Sequence, residues 1–301
     1  MDNKKAELNN KEFDVLVALA EADKELSQRD IEDITGHSLS TVNRKLKDLT
    51  DKGYVENGNI TVAGREALEP YKVKRAVFIA AGFGSRLVPI TLNTPKPLVR
   101  VNGQRIIDGL LDAVLAAGIE EIVIVRGYLA EQFDQLLYKY PMIKFIDNPI
   151  YNEANNISSA MCARKLLRNA YVFEADLLIS NPKIIKKYHY SSDFLGIKMD
   201  RSDDWCFKVK DGIITEQMVG GTDCHQMVGI SYWNAEDGQR LEADLKAAYE
   251  QPGGRELYWE QVPLKIFKKD YKVAICDCKS EDIVEIDTFR ELKAIDKSYD
   301  V

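Results

Sequence analysis

Cysteine is scarce and unpatterned in this chain: Cys162, Cys206, Cys224, Cys276 and Cys278 are odd in number and lack zinc-ligand spacing. Neither a disulfide framework nor a structural zinc site organises such a sequence. Reduced thiols are expected, although Cys276 and Cys278, flanking Asp277 in an expected strand, would share a face. Long apolar runs are missing too, and the N-terminus, Met-Asp-Asn-Lys-Lys-Ala-Glu-Leu, has no apolar core of a signal peptide. That predicts a soluble, cytoplasmic protein with no membrane partner. The net charge of −7 excludes attraction of nucleic acid by the whole molecule and leaves only a local patch for it. What is present is 301 residues, 45% hydrophobic and 30% charged, enough for a small domain and a larger one.

The most informative stretch runs from Arg75 to Leu98. Arg75 to Ala81 is a short apolar run of the kind that makes a buried strand, and it breaks into Gly82, Gly84 and Ser85. A glycine-rich turn leaving a strand brings bare backbone N–H groups up to phosphate oxygens, because no Cβ intervenes. The expected cradle for a nucleotide is therefore Ala80, Ala81, Gly82, Phe83, Gly84 and Ser85. Arg86 adds a fork of donors, and Lys96, between Pro95 and Pro97, a second cation. The stretch is not a P-loop, which ends in Gly-Lys-Ser/Thr, and it lacks the third glycine of the dinucleotide fingerprint. The whole string, Ala80-Ala81-Gly82-x-Gly84-x-Arg86 with Pro89, Thr91 and Thr94-Pro95-Lys96-Pro97-Leu98, resembles the signature of the sugar-nucleotidyltransferase superfamily. Its members join an NTP to a phosphorylated small molecule and release pyrophosphate.

Upstream, apolar spacing predicts a helix over residues 10–22, a second after Leu26 with Ser27 as N-cap, and a third capped by Ser38 or Ser40. In the third, Val42, Leu46 and Leu49 face inward, and Thr41, Asn43, Arg44, Lys45 and Lys47 face out. Residues 54–62 read as a hairpin turning at Asn57-Gly58. This order resembles a winged helix-turn-helix, whose third helix enters the major groove; Asn43, Arg44, Lys45 and Lys47 would then read DNA. Residues 1–72 hold 11 Lys/Arg against 15 Asp/Glu. Attraction to phosphate is accordingly weak, and a docking or dimerisation role stands beside DNA binding. A linker near residues 69–73 separates a winged-helix domain, 1–70, from a second domain, 74–301.

From Lys74 onward strands and helices alternate: strands at 122–126, 143–147 and 170–175, and helices at 106–117, 129–138 and from about 156. That order predicts an α/β, Rossmann-like mixed sheet wrapped on both faces, with ligands at the carboxyl ends of its strands. Shorter, partly antiparallel strands are expected at 194–198, 207–210 and 213–217, then helices at 235–249 and 258–267.

Two acidic strand ends carry the expected chemistry. Asp176, closing Glu174-Ala175-Asp176, is placed to ligate a hard divalent cation bridging phosphates. Asp287, in Glu285-Ile286-Asp287, reads by itself as a helix N-cap or a strand-end acid, and the resemblance to the superfamily implies it, over Glu285, as the second ligand. Gly127-Tyr128, residues 151–156 with Ser158 and Ser159, Ser231-Tyr232-Trp233, Leu257-Tyr258-Trp259-Glu260 and both acidic motifs together resemble the bacterial CTP:phosphocholine cytidylyltransferases over residues 74–297. The resemblance implies Mg²⁺ on Asp176 and Asp287, CTP as co-substrate, cytidine contacts from Tyr128, Asn155, Asn156 and Ser158, and phosphate contacts from Arg86 and Lys96. It also implies a phosphorylated amino alcohol as acceptor, phosphocholine first, giving CDP-choline and pyrophosphate. A quaternary ammonium is recognised by ring faces, and Trp205, Trp233, Tyr258 and Trp259 beside Glu260 are the candidate walls. A primary amine such as phosphoethanolamine or 2-aminoethylphosphonate would instead want carboxylate and carbonyl acceptors. A phosphate monoester is ionised at neutral pH, so no general base is required, and His37, His189 and His225 are expected at the surface or in loops. A metabolite-sensing DNA-binding regulator is the reading of another class, and the oligomeric state stays open, a homodimer included.

Overall fold

The computed structural model describes residues 7–300, which divide into two compact units. The first runs to Lys72 and takes in Tyr188–Tyr190; the second is Val73–Lys187 with the remainder from Ser191.

In the first unit, α1 (Asn10–Glu21), α2 (Gln28–Thr35) and α3 (Leu39–Asp51) precede a minimal hairpin, β1 (Val55–Glu56) and β2 (Asn59–Ile60). Capping boxes at Asn9/Glu12 and Ser27/Asp30 start α1 and α2, and Gly36 ends α2 in the left-handed region. Val15, Leu16, Ile31, Val42 and Leu49 close the core. The wing is shorter than the sequence suggests, because Thr61 caps a further helix, α4 (Val62–Leu68). Lys45 does not face out: it bonds Asp48 at 2.7 Å and lies 3.5 Å from the buried Glu12, which also holds Lys52 at 2.7 Å. The 69–73 segment, within which the two units divide, has local order. Glu69–Tyr71 forms a 3₁₀ turn, and Tyr71 stacks on Tyr190 and tilts against Phe13. His189 is buried, against expectation, with its backbone N–H on the Tyr71 carbonyl.

The second unit is built on β3 (Arg75–Ala80), which lies between β6 (Glu121–Arg126) and β8 (Ala170–Glu174), parallel to both; β7 (Lys144–Asp147) adds beyond β6. A small hairpin, β4 (Arg100–Val101) and β5 (Gln104–Arg105), precedes α5 (Ile106–Ala116), and α6 (Ile157–Ala163) leads into β8. The strands are apolar on both faces because both faces are covered. Ala76 and Phe78 pack with Ile107, Leu110 and Leu111 of α5, whereas Val77 packs with Ile157 and Ala160 of α6.

The three short strands expected in the second half are two long ones, β10 (Asp193–Lys210) and β11 (Ile213–Trp233). Asp211 and Gly212 both adopt positive φ and turn one into the other. β11 joins β8 antiparallel through Ile230–Trp233, and β10 pairs in parallel with β12 (Ala274–Cys278). After α7 (Ala235–Tyr249), the expected helix over 258–267 is only a π-type turn at Val262–Ile266. The 129–138 helix is a 3₁₀ helix, Ala130–Tyr138. A last ladder pairs β9 (Leu177–Ile179) antiparallel with β13 (Ile283–Glu285), followed by α8 (Phe289–Ile295). All five cysteines are free thiols.

Candidate active site

A cleft of about 300 Å³ opens where β3 and β8 end. Its rim is the glycine turn: Ala80, Gly82, Gly84 and Ser85 line it, while Ala81 is buried and Phe83 turns its ring onto Tyr128. Gly84 is required twice over. Its φ is +68°, and a Cβ there would meet the Lys96 Cβ at 3.0 Å and the Thr91 methyl at 3.3 Å. Buried Thr91 bonds the Gly84 carbonyl at 2.9 Å and braces the turn from behind.

The floor is acidic, and the β9–β13 ladder creates it. Pairing Leu177 with Glu285 sets Asp176 beside the Glu285–Asp287 segment, and Ile286, fully buried, pins that segment with its N–H on the Asp176 carbonyl. Thr288, not Asp287, caps α8, so the Asp287 carboxylate is free for the cleft. Arg86 grips it with two bonds of 2.7 Å. Lys96 Nζ lies 2.7 Å from Asp176 Oδ2 and 3.2 Å from Asp287 Oδ1. Burial works against the Lys96 charge, but Asp176 and then Asp287 outweigh it and hold the ammonium above its ordinary range. The four residues singled out in the sequence thus form one network.

Carboxylate oxygens of Glu174, Asp176 and Glu285 come within 4.8 Å of one another, the spacing a cation needs, while Asp287 is engaged by Arg86 and Lys96. Burial, then Asp176 and Asp287, pushes Glu285 up to about 9. Asp176 Oδ1 is buried and has no partner among the described residues. An unpartnered carboxylate oxygen beside two clustered acids is the donor set a hard divalent cation takes. In the sequence, Glu285 is legible only as the outer acid of an acid–Ile–acid alternation around a buried isoleucine.

Residues 75–194 match the family model described as Nucleotidyl transferase, and residues 7–61 match the MarR family. A 2-aminoethylphosphonate cytidylyltransferase of Lancefieldella rimae is 38% identical over 228 residues, 74% of this chain and 92% of that protein. This chain belongs to the cytidylyltransferase family. A choline-phosphate cytidylyltransferase of Haemophilus influenzae is 30% identical over 215 residues, 70% of this chain and 91% of the relative. The solved CTP:phosphocholine cytidylyltransferase of Streptococcus pneumoniae aligns at TM-score 0.69 and 28% identity, covering 75% of this chain and 99% of that one. Cytidylyl transfer with CTP as co-substrate, on a mixed-sheet nucleotidyltransferase fold that follows a winged-helix domain in the chain, is therefore the chemistry of this cytidylyltransferase.

The expected cytidine contacts divide. Asn156 lines the cleft and accepts the Trp259 backbone N–H at 2.8 Å. Ser158 is buried, bonding the Asn155 carbonyl and accepting from Asn148; Asn155 bonds the Glu256 carbonyl and the Asn156 N–H. Both serve the turn that presents Asn156. The Tyr128 hydroxyl donates to the Leu92 carbonyl.

The aromatic cage does not assemble as expected. Trp233 is fully buried, its indole N–H on Ser231, and Trp259 packs edge-on against it in the core. The reason is the sheet: with helices on both faces, either side of the β11 end is interior. Trp205 and Tyr258 do meet, edge to face, with ring centres 5.6 Å apart. Glu260 is buried beside Glu174, its Oε2 has no partner among the described residues, and burial pushes it up to about 7. Glu174, raised by burial and then by Glu260 and Asp176, is pressed against Gly229, where a Cβ would meet its Oε2 at 2.3 Å and its Cβ at 2.7 Å.

Proposed function

We propose that this cytidylyltransferase moves CMP from CTP to a small acceptor that carries a phosphate or phosphonate at one end and a primary amine at the other, 2-aminoethylphosphonate being the type. The observation that carries this choice is the burial of Trp233 and Trp259, which leaves two rings instead of four for a quaternary ammonium. What remains at the cleft includes the Glu174 carboxylate, and a primary ammonium has N–H donors to give to it. The identity to the Lancefieldella rimae enzyme supports the same reading. Phosphocholine is the second reading, favoured by the Trp205–Tyr258 pair.

In this reaction an anionic oxygen of the acceptor attacks the α-phosphorus of CTP in line, and the bond to pyrophosphate breaks. The acceptor is already ionised near neutral pH, so no residue need take a proton. The glycine turn offers backbone N–H groups to the triphosphate, and Arg86 and Lys96 neutralise charge growing on the leaving pyrophosphate. Asp176 with Glu285, and Asp287 beside them, would hold Mg²⁺. That ion, when bound, supplies Lewis-acid neutralisation of phosphoryl oxygens.

The test is pyrophosphate release with Mg²⁺ and CTP, comparing 2-aminoethylphosphonate, phosphoethanolamine, phosphocholine and glucose-1-phosphate. A primary amine is expected to exceed phosphocholine in kcat/KM by at least about tenfold, the value of one unpaired buried acceptor group. Preference for phosphocholine would overturn the acceptor and retain the reaction.

For the winged-helix unit we propose DNA binding through α3, with Asn43, Arg44 and Lys47 as the exposed reading residues and Lys45 left out. Its own acidic balance makes the interaction dependent on these few side chains. Arg44→Ala with Lys47→Ala is expected to weaken a gel shift on upstream DNA at least about tenfold at low salt. No shift by the unaltered protein would leave docking as the role.

A further inference from the structure

We propose that Tyr128 and Gln132 are positioning residues for the nucleotide, acting as a clasp on the backbone of the segment that carries Arg86. The inference rests on the cytidylyltransferase reading above. Between β3 and β4 the chain crosses the cleft with no strand of its own. It is ordered by three 3₁₀ turns, Ser85–Leu87, Ile90–Leu92 and Lys96–Leu98, by buried Leu87 and by the Thr91 hydroxyl on the Gly84 carbonyl. Such turns leave carbonyls at their ends that need partners from elsewhere.

Two consecutive ones find them in one place. The Tyr128 hydroxyl donates to the Leu92 carbonyl at 2.9 Å, and Gln132 Nε2 donates to the Asn93 carbonyl at 2.9 Å. Apolar burial does not hold this point, since Leu92 is 53% exposed. The clasp reaches the near end of the segment as well, where the Tyr128 N–H bonds the Ala81 carbonyl at 3.0 Å and the ring meets Phe83 edge-on at 4.7 Å.

Local backbone geometry brings the two donors together. Leu129 lies at φ +46°, a left-handed conformation costing a residue of this type about 1 kcal/mol. The turn it makes closes with the Gln132 N–H on the Leu129 carbonyl at 3.0 Å. Arg86 is thus carried on a bridge pinned at Ala81 and again at Leu92–Asn93, both times by residues 128–132. Neither donor needs to touch the nucleotide. Each acts through the position of the loop.

The experiment compares Tyr128→Phe, Gln132→Ala and the double variant, with Gln132→Glu as a variant that keeps length and removes the donor. Amide hydrogen exchange across residues 84–94 is read in ligand-free protein, and KM and kcat are measured for CTP and for the acceptor. Each single variant is expected to speed exchange at 90–94 by about fivefold, the worth of one net hydrogen bond. The CTP KM should rise by a similar factor while the acceptor KM stays unchanged. Unchanged exchange would overturn the clasp, as would faster exchange with an unaltered CTP KM. A Tyr128→Phe variant that changed CTP-over-UTP preference without loosening the loop would assign the ring to the base instead. Exchange is read without substrate, so failure of the acceptor assignment would leave this result standing.

Discussion

Asp176→Ala is expected to lower pyrophosphate release at least about a thousandfold while leaving the fold intact, a loss on the scale of removing a main electrostatic stabiliser of the transition state. Asp176 touches everything that matters in the floor: Lys96 at 2.7 Å through one oxygen, the Glu174–Glu285 cluster, and an unpartnered second oxygen. The fold should survive because the β9–β13 ladder runs through backbone groups and buried Ile286. Single-turnover kinetics with CTP and acceptor, alongside circular dichroism, would decide it. Turnover within tenfold of the unaltered enzyme would remove Asp176 from the reacting centre.

Lys96→Ala should act on stability and on substrate binding together. The ammonium is buried between Asp176 and Asp287, so its loss leaves acids clustered without their cation, at a cost of about 3 kcal/mol. A fall in melting temperature of roughly 6–12 °C follows for a unit of this size. Added Mg²⁺ should restore more stability to the variant than it gives the unaltered protein, because it replaces a missing positive charge. At the same time the CTP KM should rise by about a hundredfold. Thermal unfolding with and without Mg²⁺ is the measurement, and a variant as stable as the parent without the ion would show that Lys96 does not balance the floor.

How much of the fold and site is legible in the amino-acid sequence depends on whether a residue's role is set by its neighbours along the chain. The helices of the first unit are readable because capping side chains and 3.6-residue periodicity are local; Ser27, Asp30 and Gly36 do in the structure what their types suggest. The break of β3 into Gly82 and Gly84 is readable for the same reason, since a positive φ at Gly84 is a local demand. The long β10–β11 hairpin is not. Its middle is polar and half-exposed, so alternation fades there although the pairing continues.

Lys45 shows the limit on the other side. On α3 alone it reads as an exposed cation, and only the approach of α1 gives it Glu12. Trp233 and Trp259 fail in the same way, because a tryptophan at a strand end looks equally fit for a cage or a core.

By itself, then, the sequence determined the two-part α/β organisation, the glycine turn that lines the cleft, and Arg86, Lys96, Asp176 and Asp287 as the candidates that meet there, all carried by contiguous motifs with local causes. Only the tertiary structure decided that Glu285 joins Asp176 while Asp287 faces the cations, that two tryptophans belong to the core, and that Tyr128 and Gln132 hold the loop. Each of these depends on strands or loops far apart in the chain meeting at one edge of a sheet. Local pattern carries no information about which side chain arrives there first.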